Sequence, residues 1–236
     1  MDARRFIAGG YFVARYGARD DAWMAVELLP PRLVSACDCL VAKAPGAWAL
    51  AWATHSDAER AAAAKAFGLD AATTADAIAW TTAAFDQGVV GWPDVFFALD
   101  DARAFARRFI PPTVEVFVAG IALPDDLAAV LVATAGPAAG ASPSGVDEAL
   151  RRGEPAAPGG ETLGFEVLGY EHGGFHSFVC NGLERAFRDA LGVVPNAHGL
   201  YEDEAAARRC ADYAGSPSTG AEPGLWLPWR FTRYPR

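Results

Sequence analysis

Residues 169–184 read "GYEHGGFHSFVCNGLE" and bring together Glu171, His172, His176, Ser177, Cys180 and Asn181. Two of the chain's four histidines and one of its four cysteines fall in this one stretch. His172 and His176 are four residues apart, as are His176 and Cys180. On a continuous helix each pair would share a face and could ligate a metal or couple a base to a nucleophile. Gly173 and Gly174 make a helix between the histidines unfavourable. The stretch is therefore expected to turn at "HGG" and to enter a helix near His176 or Ser177. Ser177 would cap that helix and Cys180 would lie in its first turn, where the helix dipole favours a thiolate.

Three chemistries follow. Cys180 could act as a nucleophile with His172, His176 or His198 as base, which would make the chain a hydrolase or transferase working at the 171–181 corner. Glu171, His172 and His176 could hold a metal at this spacing, with the fourth ligand unidentified. Or the corner is structural, with Ser177 a cap and Cys180 a core residue, and its outward groups form a binding face. The third reading is adopted: no residue is assigned to catalysis, metal or cofactor, and Glu171, His172, His176 and Asn181 are placed on a binding face. No GxxxxGK[ST] phosphate loop, GxGxxG turn, GxSxG elbow or HExxH pair occurs elsewhere.

Two further groups could contribute to such a face. "LDDAR" holds Asp100 and Asp101, and "YEDEA" holds Glu202, Asp203 and Glu204. Both are read as caps and first-turn acids of helices, or as an acidic face for a basic partner. Seven tryptophans are many for this length. Trp92 precedes Pro93 at an expected turn, and "LWLPWRF" carries Trp226 and Trp229. Core packing accounts for most tryptophans, but exposed ones rimmed by charge mark interaction surfaces. Pro228 inside a strand-like segment points to an edge strand or a bulge, where a partner can add a strand.

The chain has 236 residues, 52% hydrophobic and 21% charged, with a formal net charge of -9. That is a globular composition with enough apolar residues for a sizeable core. A negative surface repels nucleic-acid phosphates and anionic lipid and attracts basic proteins. The N-terminal stretch "MDARRFIAGGYFVARYG" lacks the apolar run of a secretory signal, and no segment reaches the roughly 18 apolar residues of a membrane span. The expectation is a cytoplasmic protein with a protein partner, and neither nucleic acid nor membrane. Cys37, Cys39, Cys180 and Cys210 form no CxxC units and are read as reduced thiols, with Cys37 and Cys39 on one face of a strand.

The elements that must position these residues alternate in type. "FIAGGYFVARY", "WMAVELL", "LVSACDCLVA" and "AWALAW" read as strands. "SDAERAAAAKAFG" reads as a helix with Ser56 and Glu59 as a capping box and Gly68 as its stop. In "TTADAIAWTTAAFDQG", Ile78, Thr81 or Thr82, and Phe85 share a helical face. "DVFFAL" is a short buried strand, and Asp100 caps a helix with Ala102, Phe105, Ala106 and Phe109 on one stripe, stopped by Pro111 and Pro112. "TVEVFVAGIAL" is a strand, after which Pro124 opens a helix with Asp125 and Asp126 in its first turn. Residues 136–160 are rich in Gly, Pro, Ala and Ser and read as a long surface connection with one helical turn near Val146–Arg151. "TLGFEVLGYE" resumes as a strand, and Val179, Leu183, Phe187 and Leu191 mark a helix ending at Gly192.

Placed without gaps, Gly88 falls on Gly192, Phe97 on Tyr201, Ala102 on Ala206, Ala106 on Cys210 and Phe109 on Tyr213. The expected fold class is thus α/β or α+β: a mixed sheet flanked by helices in a single domain of residues 1–236. Two related halves, 1–135 and 161–236, would share the sheet across the connection 136–160.

In its acidic α/β character, its many aromatics, its lack of cofactor motifs and the paired segments "GYEHGGFHSFVCNGLE" and "LWLPWRF", the chain resembles immunity proteins of bacterial polymorphic toxin systems. The resemblance implies a protein that neutralises a toxin by covering its active site with acidic and aromatic surface. The binding residues read from the sequence itself are Glu171, His172, His176, Asn181, Trp92, Asp100, Asp101, Glu202, Asp203, Trp226 and Trp229; the resemblance adds a basic toxin domain as the partner.

Overall fold

The structure is a computed structural model describing residues 4–18, 28–37, 44, 57–92, 95–134, 144–171 and 173–236. Its strands are β1 (Phe6–Ala14), β2 (Gly17–Ala18), β3 (Arg32–Leu33), β4 (Val90–Gly91), β5 (Val95–Phe96), β6 (Phe117–Pro124), β7 (Glu161–Glu171), β8 (Gly174–Ser177) and β9 (Leu225–Tyr234). Its helices are α1 (Asp57–Ala66), α2 (Ala71–Asp86), α3 (Leu99–Phe109), α4 (Asp125–Thr134), α5 (Gly145–Arg152), α6 (Glu184–Leu191) and α7 (Glu204–Ala214).

Seven strands form one sheet in the order β4-β5-β1-β6-β9-β7-β8, and β2 and β3 form a separate pair. Every ladder among the described residues is antiparallel, so the fold is α+β; the expected mixed pairing is replaced by hairpin-like and long-range antiparallel contacts. The four strands from residues 6–124 lie side by side, and the three from 161–234 continue the sheet beyond them.

Alternation along the strands divides the core into layers. Phe117, Ala119, Ile121 and Leu123 of β6 and Leu227, Trp229 and Phe231 of β9 face α4, α5 and the 34–37 segment. The opposite face carries α2 and α3 over the first half, with Trp80 packed among Phe96, Phe105 and Phe109. It carries α6 and α7 over the second half, around Phe178, Phe187 and Tyr201.

The two halves repeat one arrangement about the central β6–β9 ladder. β1 and β7 each contain a bulge, and the glycine that follows it has a positive φ: Gly10 at +110° and Gly164 at +139°. Gly10 pairs with Ile121, Ile121 with Phe231, and Phe231 with Gly164, forming one row across the four central strands. On the outer side Tyr11 pairs with Phe96, and Phe165 bridges to Tyr201. The correspondence runs one residue out of step with the gap-free sequence alignment. Helices α3 and α7 have the same length and start 105 residues apart, and Ala102, Phe105, Ala106 and Phe109 match the buried Ala207, Cys210, Ala211 and Ala214. A one-residue slip turns a helix by about 100°. Alanines at both 206 and 207 let either phase look buried in the sequence.

Several other expectations change. The buried face of α2 is Ala77, Thr81 and Ala84, while Phe85 is exposed. The residue capping α3 is Ala98, with no side-chain cap bond, and Asp100 and Asp101 lie within the first turn. The helical turn expected near Val146–Arg151 is present as α5, and residues 151–160 are exposed or half-buried as expected of a surface connection, but α5 itself is buried. Ser144 caps α5, which buries Val146, Ala149 and Leu150, and the chain then bonds to β1 through Ala8 N to Glu154 O and Ala156 N to Phe6 O.

β9 is central rather than an edge. Val167 O accepts from Phe178 N, so at the Val167–Pro228 pair both backbones turn their polar groups away from one another. The absent N–H of Pro228 therefore lies on the β6 side, where that ladder has already ended at Arg230. The strand expected to contain Cys37 is an irregular segment at 34–37, and Cys39, "WMAVELL", "AWALAW" and the Ser56–Glu59 capping box lie wholly or largely outside the described residues.

A Cβ at Gly164 would lie 2.7 Å from Tyr201 O, whereas one at Gly153, whose φ is also positive, meets nothing within 4 Å. Gly164→Ala should therefore cost about 3 kcal/mol and Gly153→Ala about 1 kcal/mol in denaturant unfolding. A second test concerns Glu184, buried in the first turn of α6 with no hydrogen bond at Oε2. Burial holds its carboxyl above the ordinary glutamate range, partly offset by its own backbone N–H and Arg185. The unfolded chain releases this proton first, so stability falls as pH rises past the ordinary range. Glu184→Gln should raise the melting temperature by a few degrees at neutral pH, with the gain vanishing below the ordinary glutamate range.

Candidate functional site

The 169–184 stretch is a hairpin and not the start of a helix. β7 and β8 pair from Leu168–Ser177 to Glu171–Gly174, and the chain turns through Gly173, whose φ is +88°. Phe175 points inward, with its ring 5.1 Å from Trp229 and 5.6 Å from Tyr170. That inward apolar contact and the ladder to β7 select a strand where the spacing suggested a helix. Turns occupy residues 178–182, and α6 begins only at Glu184. Ser177 accordingly caps no helix; its Oγ accepts from Val179 N at 3.2 Å. Cys180 lies in the turn, before the helix and outside its first turn, which removes the dipole argument for a thiolate there.

His176 on β8 presents both ring nitrogens to carboxylates. Nδ1 lies 2.6 Å from Glu222 Oε2, and Nε2 lies 3.7 Å from Glu171 Oε2. Asn181 fixes the loop that carries Glu222: its Oδ1 accepts from Glu222 N at 2.8 Å, and its Nδ2 donates to Glu222 Oε2 and to Ser177 O, each at 3.1 Å. Trp226 Nε1 donates to Glu222 O at 3.2 Å from beneath. The Cys180 thiol is directed to Ser177 O at 3.1 Å and to Cys37 Sγ at 3.7 Å. His172 lies outside the described residues, and His198 is 3.3 Å from the Tyr16 hydroxyl on a different loop. Among the described residues, no group of three or more His, Cys, Asp or Glu side chains is placed to hold a metal ion.

Two buried polar networks hold the base of this corner. Glu166 on β7 accepts from the Ser35 hydroxyl and, at 2.8 Å, from Ala36 N, while Ser35 Oγ accepts from Cys37 N at 2.9 Å. On the other side the Tyr170 hydroxyl donates to Asp147 Oδ1 at 2.7 Å and lies 2.5 Å from Ser144 Oγ. Burial raises the Tyr170 phenol far above its ordinary range, offset by Ser144 and reinforced by Asp147. Ser144 also accepts from Asp147 N, so one hydroxyl caps α5 and ties it to β7. Gly145 N bonds Trp92 O, which brings Trp92, 41% exposed, beside the hairpin turn.

Glu171, His176, Asn181 and Trp92 are thus brought together, joined by Glu222, which the sequence reading missed. Glu222 sits in "GAEPGLW", a polar turn whose sequence gives no sign of what it touches. Trp226 and Trp229 are 6% and 0% exposed, so both belong to the core and neither offers a binding surface. Asp203 caps α7 by accepting from Ala206 N at 2.7 Å, with Glu202 exposed beside it. Asp100 is exposed and pairs with Arg103, and Asp101 is raised above its ordinary range by burial and then by Asp100. These acids sit at helix starts.

Comparison with protein-family models, with curated proteins and with solved structures gave no match to this chain. No helix among the described residues is long and apolar enough to cross a membrane.

The Ser144–Tyr170–Asp147 network gives a direct test of how the corner is held. Tyr170→Phe leaves the buried Asp147 carboxylate without its hydroxyl donor, at a cost of about 1–3 kcal/mol. For a chain of this size that lowers the melting temperature by about 2–4 °C per kcal/mol. Calorimetry of the two proteins reads the difference.

Proposed function

We propose that this chain is an acidic protein-binding module of the immunity type, acting in the cytoplasm to neutralise a basic partner, a toxin domain, by direct contact. The observation that carries the reading is the composition of the sheet end formed by β8. Among the described residues β8 is last in the strand order. Glu171 and Glu222 bracket His176 there, and the exposed indole of Trp92 stands beside the turn. An edge strand can accept a further strand, carboxylates receive Lys or Arg, and an exposed tryptophan supplies apolar area at low entropic cost. The net charge of -9 favours encounter with a basic surface. Asn181 and Trp226 hold Glu222 from below, so the acidic groups are set before a partner arrives.

The reading is tested by capture from native lysate on the tagged protein, washed at low and at moderate ionic strength, with mass spectrometry of what is retained. A basic protein should be held stoichiometrically and released by salt. Glu171→Lys combined with Glu222→Lys should weaken retention by about tenfold or more, whereas Asp76→Lys on α2 should not. Retention that ignores the double reversal, or no basic protein retained while a candidate toxin is expressed, overturns it.

A further inference from the structure

Cys37 and Cys180 are 143 positions apart in sequence, yet their Sγ atoms stand 3.7 Å apart. Both are reduced. We infer that they form a reversible thiol–disulfide pair, in which oxidation joins Cys37 to Cys180 and fastens the 34–37 segment to the turn below the β7–β8 hairpin. This goes beyond the proposed binding role and does not rest on it.

The placement of the two thiols is built rather than incidental. Glu166, buried on β7, holds the Ser35 hydroxyl and Ala36 N, and Ser35 Oγ accepts from Cys37 N, so the backbone carrying Cys37 is fixed relative to the sheet. On the other side the turn carrying Cys180 is closed by Asn181 N and Asn181 Nδ2, both donating to Ser177 O. A disulfide needs a sulfur separation of about 2.05 Å. Closing from contact to that distance asks for rotation about χ1 and a small adjustment of the 34–37 segment and the 178–182 turn, neither of which lies in a strand.

The two cysteines also differ in access. Cys37 is buried and Cys180 is half-buried, so an oxidant meets Cys180 first. With a low-molecular-weight disulfide as oxidant, the Cys180 thiolate attacks one of its sulfurs and displaces the other as a thiol. The Cys37 thiolate then attacks Cys180 Sγ of the mixed disulfide and releases the second thiol. Two protein thiols lose two protons and two electrons in all, and the small disulfide is reduced to two thiols. The product lies one residue from Asn181, whose amide positions Glu222, so it stiffens the corner. Cys210 provides an internal control: it lies on the buried face of α7, with its thiol pushed up to about 12 by burial.

The test treats the intact protein with oxidised glutathione, blocks remaining thiols, and maps peptides by mass spectrometry. A linked peptide pair containing Cys37 and Cys180, lighter by two hydrogen atoms and split by reductant, is the expected product, with Cys210 unmodified until the protein is unfolded. In Cys37→Ser, glutathione should instead accumulate on Cys180. If Cys37 and Cys180 both remain reduced, or if either is found linked to Cys39, the assignment is wrong. It is equally overturned if Cys37→Ser accumulates no adduct on Cys180.

Discussion

The ladder between β6 and β9 is the constraint on which the rest of the molecule depends. Among the described residues it is the only strand ladder joining the sheet of residues 6–124 to that of 161–234. Its register places Ile121 opposite Phe231, and the bulges of β1 and β7 bring Gly10 and Gly164 to the same row from either side. Side chains alternate along a strand, so a one-residue slip here would exchange the two faces of β9. Leu227, Trp229 and Phe231 would leave the layer under α4 and α5, and Trp226 and Tyr234 would enter it. Burial of these large apolar groups therefore fixes the register, and the register fixes where β7 and its hairpin end.

The candidate corner inherits its position from that register. Trp229 is fully buried on β9, and Phe175 of β8 packs edge-on against it. The outer strand is thus held both by its ladder to β7 and by an aromatic contact that reaches past β7 to β9. With Phe175 turned inward, alternation turns the neighbouring His176 to the other side, where it meets Glu171 and Glu222. Core and site are consequences of one alternation pattern.

Much of this was legible in the sequence, for identifiable reasons. The β6 and β7 segments are long and apolar, α4 opens with two acids after a proline, and α6 ends at a glycine. Each is a local signal. What was not legible depends on distant contacts. "GFHS" is too short and too glycine-rich to declare itself a strand, and only β7 beside it makes it one. Pro228 reads as an edge, yet it lies in a central strand, within the 225–229 stretch beyond its ladder to β6. Trp226 and Trp229 look like surface aromatics beside a proline but face opposite sides of a buried strand. Glu222 and the Cys37–Cys180 contact have no local signature, because their partners come from remote loops. The helical register of the internal correspondence was missed by one residue because adjacent alanines fit either phase.

Buried polar side chains are not spread evenly through this core. Ser35, Glu166, Ser144, Asp147 and Ser177 are all buried, and all lie around the base of the β7–β8 hairpin. Three irregular segments converge there: 34–37, the start of α5, and the 178–182 turn. Irregular backbone has no ladder to satisfy its N–H and C=O groups, and buried groups left unsatisfied are costly. Here the Glu166 carboxylate and the Ser35, Ser144 and Ser177 hydroxyls accept those N–H bonds. Polar side chains thus do for the corner what the ladders do for the sheet. They also limit its freedom: Glu171, His176, Glu222 and Trp92 extend from segments fixed from beneath. A surface fixed in this way loses less conformational entropy on meeting a partner than one built on unsupported loops.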